Sequence, residues 1–312
     1  MEAAAQGHDA SPPVSVVVPT RDRPELLRRA VGSVLGQSYP GVVECIVVFD
    51  QCEPNLAWGE LDERRQLRCT RNQRSPGLAG ARNTGIMIAE GELVAFCDDD
   101  DEWLPDKLSE QVARLSEEPE AAVAGCGILI DHDGRSHRRV PPTDHVSLRQ
   151  LLGSRMMELH PSTLLVRRRA LLDGIGPLDE AIPGSYAEDY EWLLRAARFG
   201  SILTVRKPLV RVYWHRRSFF SDQWEAMIAA CLYLLDKHAA LRREPRWMAR
   251  ISSRIAFAYA ACGQGRAARR WARQSMAANP WERRAWAAYL VSLRLLSPQT
   301  AQWLANRVGR GL

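Results

Sequence analysis

The sequence predicts an α/β fold, a mostly parallel sheet flanked by helices, followed by an all-helical C-terminal region. Three observations carry this. Strand-like and helix-like segments alternate over the first 130 residues. The strand segments are apolar throughout rather than alternating, as expected of strands covered on both faces. Beyond about residue 216 the spacing of apolar residues is helical everywhere.

Taken in order, VSVVVPT (14–20) is a short β-branched run ending in a turn signal, hence a buried strand. RPELLRRAVGSVLGQ follows with Pro24 near the first helical position and apolar residues at helical spacing. VVECIVVFD (42–50) reads as a second strand and LRCTR (67–71) as a short third. GLAGARNTGIMIAEG (77–91) starts on glycines and continues as a helix. ELVAFCDDDD is the next strand with an acidic end, PDKLSEQVARLSEE a helix, and AAVAGCGILID (121–131) another strand. Residues 132–215 are less regular: a strand near HPSTLLVRR, a glycine-containing loop and a helix from about Glu188. Residues 218–241 form a long amphipathic helix. Three more helical segments follow, in which Tyr259, Gly263, Ala268, Trp271 and Pro280 stand where one tetratricopeptide-like helix pair would have them. The expected division is a disordered lead at 1–13, an α/β domain at 14–215 and a helical region at 216–312.

Composition bounds the function. With 312 residues, 46% hydrophobic and 25% charged, the chain can bury one large core or two ordinary ones. No run approaches the roughly 18–20 apolar residues of a membrane helix, and the opening residues do not read as a secretory signal. Seven scattered cysteines without a C-x-x-C pair read as free thiols of a reducing compartment, not a zinc site. The expected location is therefore cytoplasmic. The net charge of +5 hides an asymmetry: from Arg242 onward there are fourteen arginines and two glutamates, a balance of +12, leaving about −7 for the rest. Half of the ten tryptophans lie in that basic region. It reads as a solvated helical face, as a dock for a partner protein, or as a surface for an anionic membrane; no recognition motif for nucleic acid accompanies it.

In parallel sheets ligands bind beyond the carboxyl ends of the strands. Here those ends are PTRDR, FDQCEP and CDDDDEW. Four adjacent carboxylates after an apolar strand repel one another, so they face water or a cation. Oxygen ligands of this kind suit Mg²⁺ or Mn²⁺, which complete their shells with substrate phosphates and water. The alternative is an acidic helix cap by Asp101 or Glu102. Similarly, Glu188 and Asp189 are either a favourable acidic first turn or a carboxylate pair able to take a proton.

SVVVPTRDRPELLRRAVGSVLGQSYP, ECIVVFD, GLAGARNTGI and GELVAFCDDDDEWLPDKL, in that order, resemble a family 2 glycosyltransferase of the Rossmann-like GT-A fold over roughly residues 14–215. The resemblance implies an inverting, nucleotide-sugar-dependent enzyme with Mn²⁺ or Mg²⁺ as cofactor. It implies that Pro19, Thr20, Arg21, Arg23 and Asp50 hold the nucleotide, where Asp22 replaces the usual asparagine and Phe49 the first of the usual paired aspartates. Gly80, Arg82 and Asn83 would face the anionic donor, with a surface salt bridge as the other reading of Arg82. Asp98 and Asp99 would lie by the ribose and Asp100, with Asp98, on the metal, the register within Asp98–Asp101 staying open. Asp189 would be the base and Glu188 its neighbour. His215 would complete the metal shell or cap a helix, and Arg216 or Ser218 would touch phosphate. His160 is either an acceptor-side group or a capping or core histidine.

The implied donor is a UDP-, GDP- or dTDP-sugar and the acceptor a glycan or lipid-linked glycan of the cell envelope, with peripheral contact to an anionic membrane. The Q-x-x-R-W stretch of polymerising relatives is absent, so one sugar per encounter is expected. Two rival classes fit the sequence less well. A nucleotidyltransferase would show a glycine-rich phosphate loop after the first strand, and PTRDRPELL has no glycine. A non-catalytic scaffold on a degenerate fold would have no need of both Asp100 and Asp189.

Overall fold

The computed structural model describes residues 11–132, 135–154, 156–213 and 223–307. The strands are β1 (Val14–Thr20), β2 (Val43–Phe49), β3 (Arg65–Arg71), β4 (Leu93–Phe96), β5 (Asp101–Trp103), β6 (Val123–His132), β7 (Arg135–Arg139), β8 (His145–Val146), β9 (Leu165–Arg167) and β10 (Ile202–Tyr213). The helices are α1 (Pro24–Leu35), α2 (Leu78–Ile88), α3 (Lys107–Glu117), α4 (Leu148–Gly153), the single turn α5 (Arg168–Ala170), α6 (Glu188–Phe199), α7 (Trp224–Lys237), α8 (Pro245–Ala261), α9 (Gly265–Ala278), α10 (Arg283–Ser292) and α11 (Pro298–Arg307).

The sheet runs β3-β2-β1-β4-β9-β6-β10-β5, with β7 beside β6 and β8 beside β10. From the pairings, β1, β2, β3, β4, β6 and β10 point one way and β5, β7, β8 and β9 the other. The expected mostly parallel α/β sheet is present. β1 and β2 are buried along their whole length, which is why they read as continuous apolar runs. Val14, Val16 and Val18 join the core shared with Leu27, Val31 and Val34 of α1. Val17 points to the opposite face, where Gly85 of α2 sits so close that an added Cβ would lie 2.3 Å from Val17 Cγ1. β3, the sheet edge, mixes half-buried and exposed residues and carries three arginines, a charge pattern that discourages strand addition. Arg65 closes this edge: its guanidinium donates to the carbonyls of Leu35, Gln37, Tyr39 and Gly41 at 2.7–3.0 Å.

Two compact units emerge. One comprises residues 1–148, 156–178 and 192–214, the other 149–155, 179–191 and 215–312. In the second, α8 and α9 are joined by a short turn with Gly263 at φ 75°. Ser275, late in α9, donates to the carbonyl of Ala249, early in α8, at 2.6 Å, so the pair is antiparallel. Alanines 256, 260, 268, 272 and 288 form its core with Phe257 and Val291, their short side chains allowing close helix contact. No helix among the described residues is long and apolar enough to cross a membrane.

Two sequence expectations differ from the structure in extent. The acidic strand ends at Phe96, because the backbone turns (Asp101 N–H to Asp98 C=O, 3.1 Å) before β5 begins. β10, the longest strand, lies in the stretch that showed no clear pattern: Arg206, Lys207 and Pro208 interrupt its apolar run, and its register with β6 slips on both sides of Pro208.

Candidate active site

The chain leaves β1 through α1 to β2 on one side, and reaches β4 on the other side of β1. The carboxyl ends of β1 and β4 therefore flank a topological switch point, where an open α/β sheet leaves a crevice. Thr20 ends β1, and its hydroxyl donates to Asp99 Oδ2 at 2.8 Å. Asp22 turns the chain through a left-handed φ of 52°. Arg23 then reaches both Asp99 Oδ1 at 3.2 Å and Asp100 Oδ2 at 3.1 Å. Arg29 of α1 donates to the Asp100 carbonyl at 3.1 Å, its guanidinium lying 3.9 Å from the ring centre of Tyr213.

The other two aspartates face different partners. Asp98 Oδ1 accepts from Arg82 Nη2 at 2.5 Å. Arg82 is 1% exposed, so this is a buried cation aimed from α2 at the acidic run, not a surface salt bridge. Asp101 is buried, and Ser162 ties the run together: its hydroxyl donates to Asp101 Oδ2 at 2.5 Å and accepts the Asp98 N–H at 2.9 Å. Trp103 Nε1 donates to the Ser162 carbonyl at 2.9 Å, which fixes the turn Pro161–Thr163. His160 starts that turn with its Nδ1 3.8 Å from Asp101 Oδ2. One ligand atom each of Asp98, Asp101 and His160 falls within a mutual 4.8 Å.

Crowding raises the proton affinity of the acids. Burial pushes Asp99 up to about 6, with Asp100 and Asp98 adding to the rise and the Thr20 hydrogen bond and Arg23 opposing it. Asp101 lies well above the ordinary carboxylate range, first from burial and then from the charges of Asp98 and Asp100, with the Ser162 hydrogen bond opposing. Carboxylates held this close gain from a divalent cation. Two carboxylates and an imidazole are donors that Mn²⁺ accepts and Mg²⁺ accepts in part, so the residues present fit the expected ion.

The other expected site residues divide. Asp50, at the end of β2, accepts from Asn72 Nδ2 at 2.8 Å, Gln51 Nε2 at 3.0 Å and the Gly77 N–H at 3.1 Å, so it holds the loop that starts α2. Gly80 is the close approach of that helix to the loop: a Cβ there would stand 1.9 Å from the Ser75 carbonyl oxygen. Asn83 exchanges both amide hydrogen bonds with the backbone of Leu178 at 2.9 Å, a clasp on the chain segment after α5. Pro19 pairs with Val48 inside the sheet, and Arg21 is exposed. Asp100 faces Arg23, whereas Asp98 belongs to the three-residue cluster. His215, Arg216 and Ser218 lie outside the described residues.

Glu188 and Asp189 stand in the first turn of α6, in the second unit. The approach to them is conformationally demanding. Gly184, Ser185 and Ala187 have φ of 63°, 51° and 63°, and a non-glycine residue in that region costs on the order of 1–3 kcal/mol, an expense that tends to collect at functional loops. Glu188 is 4% exposed. Glu191, one turn on, is fully buried and paired with Lys237 Nζ at 2.9 Å and His238 Nε2 at 3.1 Å. Lys237 also pairs with Asp179, which accepts from Tyr233 at 2.8 Å. This network anchors the helix start. Sequence reasoning missed it, as it missed Ser162, and it left the register within Asp98–Asp101 open; the one local signal was the capping-type sequence His160–Thr163.

Comparison with known proteins identifies the family and the fold. The family model described as glycosyl transferase family 2 matches residues 15–174. Succinoglycan biosynthesis protein ExoO of Rhizobium meliloti is 31% identical over 259 residues, covering 74% of this chain and 70% of that one. The Escherichia coli WfaP, a UDP-Glc:alpha-D-GlcNAc-diphosphoundecaprenol beta-1,3-glucosyltransferase, is 30% identical over 107 residues, covering 34% of this chain and 42% of that one. Among solved structures, Staphylococcus aureus TarS 1–349 in complex with UDP-GlcNAc aligns with a TM-score of 0.56 at 18% identity, over 95% of this chain and 92% of that one. The mannosyltransferase PcManGT of Pyrobaculum calidifontis, in complex with GDP-Man and Mn²⁺, aligns at 0.50 and 18% identity, over 96% of this chain and 82% of that one. At such identities these two likenesses speak to the fold, which is that of GT-A glycosyltransferases. The family match over half the chain, with a relative 31% identical over most of both chains, makes this protein a member of glycosyl transferase family 2.

Proposed function

We propose that the protein transfers a sugar from a nucleoside-diphosphate sugar to an acceptor hydroxyl with inversion, one sugar per encounter, in the synthesis of cell-envelope polysaccharide or glycolipid. The observation that carries this reading is the acidic turn Asp98–Asp101, clamped by Thr20, Arg23, Arg82 and Ser162 at the β1/β4 switch point.

In this reading residues 14–215 bear the catalytic site and 216–312 are accessory. Mn²⁺ or Mg²⁺, when bound, neutralises charge on the leaving diphosphate. Asp98 and Asp101, with His160, would hold it; Asp100 becomes available if Arg23 moves onto a donor phosphate. Thr20, Arg21, Arg23 and Asp99 orient the nucleotide, and Arg82 holds Asp98 in place. The acceptor oxygen forms its bond to the anomeric carbon as the bond to the diphosphate oxygen breaks on the opposite face. Asp189 takes the acceptor proton, and Glu188 orients the hydroxyl.

Membrane proximity belongs to the same reading. Trp281 is 87% exposed and Trp286 52%, and Leu290, Leu293 and Leu295 are also exposed, beside exposed Arg283 and Arg294. Tryptophan, leucine and arginine together suit an anionic lipid interface.

The test is a thermal shift with UDP, GDP and dTDP, with and without Mn²⁺. Stabilisation that requires the ion supports the donor site; none with any nucleotide removes it. Asp189→Asn is expected to keep nucleotide binding and lose transfer by 10²-fold or more; full activity in that variant would reassign the base.

A further inference from the structure

The chain that leaves the acidic turn is held on two sides. β5 is three residues long, and successive side chains of a strand point to opposite faces. Asp101 and Trp103 are buried and both reach Ser162, one through its hydroxyl and one through its carbonyl. Glu102, between them, is half-buried and meets a different partner. β10 runs antiparallel beside β5, with Arg211 opposite Glu102 and Val212 opposite Asp101. Tyr213 is the next residue, so it stands beside Asp100, one step past the last pair. Its hydroxyl donates to Glu102 Oε2 at 2.6 Å. Burial first, and then Glu102, raise the proton affinity of this phenol, so it stays the donor of that bond.

Arg29 closes the arrangement from α1. Its guanidinium lies 3.9 Å from the centre of the Tyr213 ring, well inside the roughly 6 Å reach of a cation–π contact. Its Nη2 donates to the Asp100 carbonyl at 3.1 Å. Arg29 stands next to four aspartates, yet it pairs with no carboxylate among the described residues. Its Nε is shut off from solvent without a hydrogen-bond partner, a cost that a side chain free to choose its place avoids. The geometry thus directs this cation to the main chain of the turn and not to its charges.

That main chain is where a fixed point matters. The Asp100 carboxylate faces Arg23 at 3.1 Å, and in the proposed reaction it becomes available when Arg23 moves onto a donor phosphate. Asp100 can change partner without disturbing Asp98 and Asp101 only if its backbone stays in place.

We propose that Arg29 is a positioning residue of the cation site, itself held by Tyr213 and Glu102: it pins the Asp100 carbonyl, so that the carboxylates of the acidic turn keep their aim while Arg23 is drawn to the donor. This rests on the glycosyltransferase reading, which puts the diphosphate and its ion at the turn.

The test is Mn²⁺ affinity of the full chain, saturated with whichever of UDP, GDP and dTDP binds wild type. It is read from the free-ion signal in electron paramagnetic resonance, well below the melting temperature of each variant. Arg29→Lys keeps the charge and loses the planar fork; Mn²⁺ affinity should fall about tenfold, as when an outer partner of a metal ligand is lost. Tyr213→Phe keeps the ring under Arg29 and frees Glu102, with an expected loss of about two- to fivefold. Tyr213→Leu removes ring and hydroxyl together and should approach the effect of Arg29→Lys. The double variant Arg29→Lys, Tyr213→Leu should lose little more than either alone, because both act through one carbonyl. In transfer assays the Mn²⁺ concentration for half-maximal rate should rise by the same factors. Mn²⁺ affinity equal to wild type in Arg29→Lys, with or without a lower melting temperature, overturns the proposal and leaves Arg29 a packing residue. Full additivity in the double variant overturns the link through Tyr213. A wild type that binds no Mn²⁺ with any of the three nucleotides overturns the glycosyltransferase reading itself, and this role with it.

Discussion

Lys107 opens α3 with its side chain fully buried. Its Nζ lies 3.7 Å from the ring centre of Trp103 and has no hydrogen-bond partner among the described residues. A cation at a helix N-terminus is also misplaced against the helix dipole. Burial pulls its ammonium down to about 8, with Cys126 and Cys97 opposing. An unfolded chain holds this proton up to its ordinary value of 10.5. Between pH 8 and 10.5 the unfolded state therefore binds more protons, and stability rises with pH. At pH 7 both states are charged and the whole penalty is present, about 3 kcal/mol for a difference of some 2.5 units. Lys107→Met keeps the unbranched stem and removes the charge. The variant's stability relative to wild type should be about 3 kcal/mol more favourable at pH 7 than at pH 10.5. Urea denaturation of both proteins at pH 7, 8, 9 and 10.5, under reducing conditions, measures this. The buried thiols Cys45, Cys97 and Cys126 are pushed upward and bend both curves the opposite way, so only the difference is diagnostic. A difference that stays flat across that range would refute a buried, charged Lys107.

Two further substitutions probe the packing and the site. Gly85→Ala drives a methyl to within 2.3 Å of Val17 in a strand that cannot retreat, so despite alanine's better helix propensity the net loss should be about 1–2 kcal/mol. Combining it with Val17→Ala should recover part of that loss, and strict additivity in the denaturation energies would contradict the close approach. Ser162→Ala removes a donor to Asp101 and an acceptor for Asp98 N–H. Mn²⁺-dependent UDP affinity should fall about tenfold, as when an outer partner of a metal ligand is lost; calorimetry showing no change would mean the turn holds without it.

Much of the first unit was legible because its central strands announce themselves. β1, β2 and β4 are covered on both faces, so apolar residues dominate and each strand reads as one run, with Ser15 and Glu44 hydrogen-bonded to each other within the sheet. The polar residues just beyond them mark the ligand-facing rim. β5 and β10 were not legible. β5 is three residues long and begins on an aspartate, and β10 is interrupted by Arg206, Lys207 and Pro208, so burial against neighbours, not local preference, makes them strands. In the site the residue types were readable and their partners were not. Thr20 meets Asp99 across 79 positions and Ser162 meets Asp101 across 61, distances at which no local pattern is shared. Hence Asn83 read as a ligand-facing group although its amide clasps Leu178, and the register within Asp98–Asp101 stayed open in the sequence although Asp101 is the buried end of the acidic turn.

That turn also has a mechanical meaning. From β4 the sheet continues through β9, β6 and β10 before reaching β5, four strand spacings, or about 19 Å if laid flat. The chain covers the same gap between Phe96 and Asp101 in five residues, which fully stretched would reach about 17 Å, and they are bent by the hydrogen bond from Asp101 to Asp98. A planar sheet is thus impossible, and the strands past β4 must curl until β5 comes back toward α1, where Trp103 N–H meets Ser33 at 3.0 Å. The aspartates serve as a short tether whose length sets that curvature, so adding or removing one of them would reshape the sheet's far edge even where the sum of charges was restored elsewhere.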